Sequence, residues 1–385
     1  MRRSPEIKFD TRYPSIEDLR CRAKRRMPRF VYEYLEGGCN EEVNLRKNTS
    51  EIRKIELQPH YLDSYRGADM RTEIFGQHYA APFGIAPMGL QGFMWPNAPE
   101  ILAKAAFEHN IPFIQSTVTT SSIERISELT EGNAWFQLYH PAENSVRDDI
   151  LKRIEAAQCP VLVLLCDVPT SAFRPKEIQN GLAMPPKMTL SNILQMMAKP
   201  GWALQTLKYG RPNFEVMKPY MPTNLNLENL GVFMEQAFCK RMDEEKIAPI
   251  RDLWKGKIVL KGVVSEVDTE KAIRLGLDGI IVSNHGGRQL DAGESTIKPL
   301  TRLADKYGDQ ITVMMDSGMR SGSDIARTLA SGAAFTFMGR TFMYGVSALG
   351  EQGGRHTISS LKTQLQIVME QIGCEEIKDF PDYLV

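Results

Sequence analysis

The sequence predicts an α/β fold, namely a (β/α)8 (TIM) barrel with an N-terminal helical extension and a long insert after the fourth strand. Eight strand-length apolar runs alternate along the chain with segments of helical periodicity. Most of these runs are continuously apolar, as strands buried on both faces of a parallel sheet are. No two glycines stand two residues apart, so the dinucleotide-binding turn of a doubly wound sheet is missing. Eight strand–helix units therefore favour a closed barrel.

The predicted strands fall within residues 81–350, which we take as the barrel. They are Phe83–Met88, Pro112–Thr117, Ala134–Tyr139, Val161–Val168, Lys257–Val263, Gly279–His285, Ile311–Gly318 and Ala333–Arg340. Helical periodicity lies between them at Ala98–Glu108, Ser121–Leu129, Asn144–Ala157, Val267–Leu275 and Ser323–Leu329. Ser121, Asn144 and Ser323 are the predicted N-caps, because their side-chain oxygens accept hydrogen bonds from the first backbone N–H groups of a helix.

Three parts of the chain lie outside the barrel repeat, although residues 1–385 are treated as one domain. In the N-terminal extension, residues 1–80, the segment Ile16–Gly37 reads as one helix that ends at a glycine pair. Residues 170–248, between the fourth and fifth strands, are rich in methionine and proline. A connection of this length is typical of a lid or a binding segment. Residues 351–385 are predicted to be a C-terminal helical segment.

Composition excludes several classes of function. The 385 residues contain 47 Lys plus Arg and 47 Asp plus Glu, so no overall basic field attracts nucleic acid. The longest apolar run, Val161–Cys166, is far shorter than the about 20 residues of a membrane span, and no apolar stretch follows the charged N-terminus. We therefore expect neither a spanning helix nor a secretory leader. The six cysteines lack zinc-site spacing, which indicates free thiols and no metal.

Polar residues occur where the predicted strands end, and in this fold strand ends form the active site. The third strand ends with Gln137 and Tyr139, the fourth reaches Asp167, and the fifth carries Lys261. A lysine between apolar neighbours needs an anion or a polar ligand. The sequence therefore predicts a bound partner at this end of the barrel.

The sixth strand ends in the polar run Ser283–Gln289, which contains His285 and Arg288. This run places a titratable base beside a planar guanidinium group suited to a carboxylate. A carboxylate such as Asp167 near the imidazole would raise its basicity and fix its orientation. An acid substrate that loses a proton is the natural inference.

The seventh and eighth strands end in glycine and arginine, the usual phosphate site in this fold. Gly318 and Arg320 follow the seventh strand, and Gly339 and Arg340 follow the eighth. Glycine lets backbone N–H groups approach an anion, and arginine supplies charged donors. A phosphorylated ligand is therefore predicted.

The run from Ser283 to Asp291, SNHGGRQLD, resembles the signature of the FMN-dependent L-2-hydroxy acid dehydrogenases and oxidases. The likeness extends over nearly the whole chain: Phe30–Tyr34, Ile85–Pro87, Ser116, Phe136–Tyr139, Asp167, Arg174, Val259–Gly262, Asp316–Gly318 and Gly339–Arg340. Among the branches of the family, which include glycolate oxidase, the insert segment Pro200–Trp202 is most similar to the bacterial L-lactate and mandelate dehydrogenases. The resemblance implies an FMN cofactor and oxidation of a lactate-, mandelate- or glycolate-like acid to the 2-oxo acid.

The resemblance also implies a role for each site residue. His285 would remove the substrate proton and Asp167 would stabilise the resulting imidazolium. The other implied catalytic residues are Arg288, Tyr34 and Arg174 on the substrate carboxylate, Tyr139 near its hydroxyl, and Lys261 by N1 and O2 of the flavin. The implied cofactor contacts are Pro87, Met88, Ser116, Gln137, Lys261 and Ser283 around the ring and ribityl chain, Asp316 on the ribityl hydroxyls, and Gly318, Arg320, Gly339 and Arg340 on the phosphate.

Three positions depart from the family pattern and leave alternatives open. Leu165 replaces a residue that usually carries a hydroxyl toward the flavin, Met88 replaces a small or hydroxyl residue, and Phe173 stands close before Arg174. An inactive flavin-binding barrel and a non-redox FMN isomerase therefore remain alternatives. The electron acceptor, whether a quinone, a protein or O2, is open, as is the choice between a carbanion and a hydride mechanism.

The Met-rich segment 175–205 carries few charges and is a candidate for peripheral membrane contact. We expect a cytoplasmic protein, peripheral on the inner face of the membrane if this contact forms. The habit of the family suggests a homotetramer.

Overall fold

The computed structural model describes residues 9–182, 187–210, 212–222 and 227–385, and it confirms the predicted barrel with its N-terminal extension and insert. Eight parallel strands follow one another in the order β3-β10-β9-β8-β7-β6-β5-β4. The ring is completed between its first and last members, where Ile85 forms a parallel bridge with Phe113 and its N–H donates to the Pro112 carbonyl.

The strands occupy the core of each predicted run. Their bounds are β1 Thr72–Ile74, β2 Gln77–Tyr79, β3 Phe83–Ile85, β4 Ile114–Ser116, β5 Trp135–Leu138, β6 Val161–Leu165, β7 Lys257–Val263, β8 Gly279–Val282, β9 Thr312–Asp316 and β10 Phe335–Met338. The antiparallel pair β1–β2 precedes the barrel. It covers the closed end of the barrel, where Trp135 donates from Nε1 to the Tyr79 hydroxyl at 3.1 Å.

Helices alternate with the strands of the barrel, and further helices form the N-terminal extension, the insert and the C-terminal segment. They are α1 Ile16–Arg26, α2 Arg29–Glu36, α3 Val43–Ile52, α4 Gln91–Met94, α5 Ala98–Glu108, α6 Ile123–Thr130, α7 Asn144–Ala156, α8 Pro175–Gln179, α9 Leu190–Met197, α10 Pro200–Tyr209, α11 Leu227–Gln236, α12 Glu244–Leu253, α13 Glu266–Arg274, α14 Ile297–Tyr307, α15 Gly322–Ala330, α16 Arg340–Leu349 and α17 Gly353–Ile372. In the described part of the chain, none of these helices has the length and apolarity that crossing a membrane requires.

The N-terminal segment predicted as one helix is two helices, and the prediction of a single helix over Ile16–Gly37 was wrong. Met27 is extended, with φ −89° and ψ 149°, because the ring of Pro28 disfavours a helical conformation in the residue before it. The second helix does end at Gly37, whose N–H donates to the Glu33 carbonyl. The break turns α2 toward the barrel mouth.

The observed N-caps of three helices lie one or two residues away from the predicted N-caps. Ser122 rather than Ser121 caps α6, and Ser321 rather than Ser323 caps α15, each accepting a hydrogen bond from the backbone N–H three residues on. Asn144 is the first residue of α7 rather than its cap, which is Glu143.

The insert between β6 and β7 contains α8 to α11 and packs against the helices at the barrel mouth. Trp202 of α10 is buried and donates from Nε1 to the carbonyl of Met94 at the end of α4. Gln195 of α9 accepts from the backbone N–H of Phe30 in α2. Met184, which belongs to the predicted Met-rich segment, lies outside the described residues.

Candidate active site

The mouth of the barrel is a polar layer directly above an apolar interior. Because strand side chains alternate, a residue two positions beyond an inward-facing one also faces inward. Such pairs are Ile114 and Ser116, Trp135 and Gln137, Val259 and Lys261, Ile281 and Ser283, and Met314 and Asp316. The change from apolar to polar residues at the same height on neighbouring strands marks the end of the core and the start of a site.

This layer forms the floor of an open cleft that encloses about 1020 Å³ including its mouth. All predicted site residues line it except Asp167 and Ser283, and those that do are Tyr34, Pro87, Met88, Ser116, Gln137, Tyr139, Arg174, Lys261, His285, Arg288, Asp316, Gly318, Arg320, Gly339 and Arg340. Within the described residues no group of His, Cys, Asp and Glu could hold a metal ion.

Asp167 and His285 form a hydrogen-bonded pair at the cleft wall. His285 Nδ1 lies 2.9 Å from Asp167 Oδ1. The backbone of His285 is left-handed, with φ 57°, and the two glycines that follow share this conformation. Gly262 makes room for the carboxylate, since a Cβ there would lie 2.5 Å from the Asp167 Cβ.

The protonation of this pair follows from its surroundings. Burial lowers the pKa of the His285 imidazole below its ordinary value, and Asp167 opposes this shift. Burial would raise the pKa of Asp167, but His285 and Lys261 outweigh it and lower that pKa. The pair therefore consists of an ionised carboxylate and a neutral imidazole, the state required of a general base.

Lys261 is the buried cation of the polar layer. Its Nζ lies 3.1 Å from Asp316 Oδ2 and 3.7 Å from Asp167 Oδ2, and it donates to the Ser283 hydroxyl at 2.9 Å. Burial opposes its charge, but the two carboxylates raise the pKa of Lys261 above its ordinary value. The ammonium group is therefore charged and faces the cleft.

Two arginines and a tyrosine form another part of the cleft wall. Arg288 stands over the Tyr34 ring at 5.0 Å and donates from Nη1 to the carbonyls of Tyr34 and Gly37. Arg174 donates from Nε to the Arg288 carbonyl and from Nη2 to Gln289 Oε1. These bonds fix two guanidinium groups at one end of the cleft, the arrangement that a carboxylate ligand requires.

The glycine–arginine pairs after β9 and β10, predicted to bind a phosphate, line the cleft, and the side chain of Arg340 also binds the surrounding backbone. Its guanidinium donates to the carbonyls of Leu35, Gly37 and Gly286, which fixes the side chain while using only three of the five N–H groups of a guanidinium. Burial, followed by the charge of Arg288, lowers the pKa of Arg340 to about 10, which reflects a cation paired only with neutral acceptors. The backbone N–H of Arg340 is the first of α16 and has no partner within the helix. A helix N-terminus beside a buried cation favours a phosphate group.

Helix α3 supports this end of the site, a contribution that the sequence analysis missed. Asn284 donates to the side-chain oxygens of Asn44 and Asn48, and Thr49 donates to the Gly318 carbonyl. Asn44 and Asn48 stand four residues apart on one helix face, which is the only sequence signal of this role.

Comparison with known proteins agrees with this geometry. Residues 23–385 match the sequence family of FMN-dependent dehydrogenases. This chain belongs to that family. Among similar proteins, an L-lactate dehydrogenase of Vibrio parahaemolyticus is 34% identical over 363 residues, which cover 94% of this chain and 96% of the relative. The (S)-mandelate dehydrogenase of Pseudomonas putida is 33% identical over 371 residues, which cover 96% and 93%.

Solved structures of the family share the same fold. A monotopic membrane protein, (S)-mandelate dehydrogenase, superposes with a TM-score of 0.91 at 32% identity, covering 96% of this chain and 98% of that one. A mandelate oxidase superposes with a TM-score of 0.80 at 26% identity, covering 97% and 98%. FMN is therefore the cofactor expected of this FMN-dependent dehydrogenase.

The residues present fit FMN. Gln137 accepts from the Ser116 hydroxyl through Oε1, while its buried Nε2 has no partner among the described residues and remains a donor for a ligand. The charged Lys261 faces the cleft at the same level, and the N-terminus of α16 offers the phosphate site. A flavin ring needs polar donors at its edge and a phosphate needs an anion site, and both lie in one cleft.

Two departures from the family pattern lie in this same cleft. Leu165, at the end of β6, lines it with an apolar side chain. Met88 also lines it and packs on the phosphate end, because a Cβ on Gly339 would stand 2.8 Å from the Met88 sulfur. Both side chains make the cofactor site more apolar than it would be with the residues that are usual in the family.

The His285 pair makes a prediction that nuclear magnetic resonance can test. We expect His285 to titrate below the ordinary histidine pKa of 6.5, with its proton on Nδ1 at neutral pH. Replacing Asp167→Asn removes the charge that favours the imidazolium and should lower this pKa by about one further unit. Ring 15N shifts would report both results, with assignment from a His285→Gln sample. The exposed Asp305→Asn is the control, and an unchanged His285 pKa in Asp167→Asn would contradict the role of Asp167.

Proposed function

We propose that this FMN-dependent dehydrogenase oxidises an L-2-hydroxy acid to the 2-oxo acid, with His285 as the base. The observation that carries this proposal is the neutral His285, held by Asp167, in the same cleft as Arg174 and Arg288. A 2-hydroxy acid has a carboxylate on the carbon that is oxidised. The cleft therefore offers both a fixed anion site for the carboxylate and a base for the proton that is removed.

The roles proposed for the residues are those that the resemblance to the family implies, and their position in one cleft supports them. Arg288, Arg174 and Tyr34 hold the substrate carboxylate, and Tyr139 approaches its hydroxyl group. His285 takes one proton from the substrate, either from the carbon or from the hydroxyl, and the 2-oxo acid is the product in both cases. Asp167 stabilises the imidazolium that forms. When bound, FMN would accept the two electrons and the second proton that leave the substrate.

Lys261 supports the same reaction without touching the substrate proton. The resemblance to the family implies that its charge would lie beside N1 and O2 of the bound flavin. A fixed positive charge in a buried site stabilises negative charge that develops there without solvent rearrangement. Ser283 and Asp316 hold the ammonium group in place.

The substrate is proposed to be lactate-, mandelate- or glycolate-like. Similarity to relatives named for L-lactate and (S)-mandelate supports an acid with an apolar substituent. Met94 and Val118 also line the cleft and offer an apolar surface to a methyl group or a ring.

The test is the visible spectrum of the purified protein, followed without oxygen while L-lactate, glycolate and L-mandelate are added separately. We expect one of them to bleach the flavin band. His285→Gln should retain the flavin and bleach about 10²- to 10⁴-fold more slowly, because the base is lost. His78→Gln, at an exposed histidine, is the matched control and should behave as the wild type.

Three outcomes would contradict this function. A colourless protein that does not take up FMN would exclude the cofactor. Flavin that no hydroxy acid bleaches would favour the inactive flavin-binding barrel. Conversion of a substrate without net oxidation would favour the non-redox isomerase.

We further propose that the segment 175–205 contacts a membrane surface and that the electron acceptor is a quinone there, with a protein or O2 as the alternatives. The described parts of α9 and α10 expose apolar side chains: Leu190, Ile193, Leu194, Met197, Leu204 and Leu207. No acidic residue occurs from Ile178 to Phe214. Lysines at 187, 199 and 208 accompany the apolar residues, a combination that favours an anionic lipid surface. Residues 183–186 of this segment lie outside the described chain.

This placement implies a cytoplasmic protein that binds the inner face of the membrane. A homotetramer remains a prediction.

Membrane contact can be tested by sedimentation with vesicles that contain phosphatidylglycerol. The double variant Leu194→Glu with Leu204→Glu, at two exposed leucines within the segment, should reduce the bound fraction at least about tenfold, because two apolar side chains are lost and two negative charges are added. The control, Leu62→Glu with Leu253→Glu, alters exposed leucines outside the segment. Equal binding by the two double variants would contradict contact through the segment.

A further inference from the structure

An acidic residue stands behind the two cleft arginines. Glu177 belongs to α8, the first helix of the insert. Arg288 Nη2 lies 2.5 Å from Glu177 Oε1, and Arg174 Nη1 lies 3.4 Å from Glu177 Oε2. The Glu177 side chain is only 12% exposed, so its charge is poorly screened by solvent.

Glu177 acts through the arginines and not on the ligand. Both arginines line the cleft, whereas Glu177 does not. The carboxylate therefore binds the guanidinium groups from the side away from the cleft. Arg288 is held on its other side by the carbonyls of Tyr34 and Gly37, so Glu177 completes a fixed set of acceptors around it.

Helix α8 holds Glu177 in this position through its neighbours. Lys176 pairs with Glu42 at 2.6 Å, and Asn180 donates to Glu33 Oε2 at 2.7 Å. Glu33 lies on α2, the helix that also carries Tyr34. The carboxylate, the tyrosine and both arginines therefore form one connected unit.

At the end of the cleft, this unit contains more guanidinium groups than carboxylates. Arg174 and Arg288 share one carboxylate, which offsets one of their two charges, and the guanidinium of Arg340, on the same Gly37 carbonyl as Arg288, adds a further positive charge. We propose that Glu177 is a specificity-determining positioning residue: by cancelling one of the two arginine charges, it makes the site favour a monocarboxylate over a dicarboxylate hydroxy acid. This inference rests on the proposed function, because it assumes that the arginine pair binds the substrate carboxylate.

A change of charge at residue 177 has a definite consequence for ligands of different charge. The energy of a ligand in the field of an added charge is proportional to the ligand's own charge. Removing the negative charge of Glu177 should therefore favour a dianion about twice as much as a monoanion. We expect the affinity ratio of dianion to monoanion to rise about tenfold, because the arginines are partly buried.

The experiment compares the holoenzyme with Glu177→Gln by isothermal titration calorimetry, using propionate and succinate as inert ligands. Glu177→Gln keeps the shape of the side chain and removes its charge. The succinate-to-propionate affinity ratio should rise about tenfold, and the rise should shrink when salt is added. Glu177→Asp should restore the wild-type ratio. Glu128→Gln, which breaks an exposed pair with Arg125, is the matched control and should leave the ratio unchanged.

The outcomes are distinct. If Glu177 only fixed the conformation of the arginine side chains, Glu177→Gln would weaken the binding of both acids in parallel. An unchanged succinate-to-propionate affinity ratio would therefore overturn the proposal. A ratio that rose equally in Glu128→Gln would also overturn it. Failure of the proposed function would instead appear as wild-type flavin that no hydroxy acid bleaches, whereas failure of this inference leaves bleaching intact.

Discussion

The buried ion pairs of Lys261 determine how the barrel mouth is built. Lys261 is only 3% exposed, so its charge requires the carboxylates of Asp167 and Asp316. These acids follow β6 and end β9, and the pairing of Leu165 with Lys261 sets the register between β6 and β7. The ladder from β7 to β8 is irregular between Lys261 and Val263. An irregularity next to an active site is a common means of aiming a side chain.

The same carboxylates connect the charge centres of the cleft. One carboxylate oxygen of Asp167 pairs with Lys261 and the other forms a hydrogen bond with His285. A single residue therefore positions both the base and the cation. The phosphate end and the carboxylate end are linked in turn by Arg340, which donates to the loop of His285 and to the end of α2. The insert contributes to this network through Glu177, which pairs with Arg174 and Arg288. Substitutions in the insert can therefore change the carboxylate-binding end of the cleft without altering the barrel.

The barrel and most of the site could be predicted because both depend on local sequence. Strands buried on both faces are continuously apolar, and their ends are where polar side chains begin. Other features depend on contacts that no local pattern reveals. The pairing of Glu177 with Arg288 joins an irregular insert to a barrel loop, and the use of the Arg340 side chain by carbonyls depends on where α2 ends. Pro28 signalled the break at Met27, but the helical periodicity on both sides favoured a single helix. Ser121 and Ser122 are adjacent and of the same type, so the sequence does not show which of them is the N-cap.

The role of Lys261 is tested most directly by the reduction potential of the bound flavin, measured by equilibration with a reference dye. Lys261→Met should retain flavin and lower the potential by on the order of 60 mV, because the charge that stabilises the reduced cofactor is lost. Lys257→Met, on the same strand but exposed and paired with Asp278, is the control and should leave the potential unchanged. An equal potential in wild type and Lys261→Met would contradict the claim that this buried cation is held in place for the flavin.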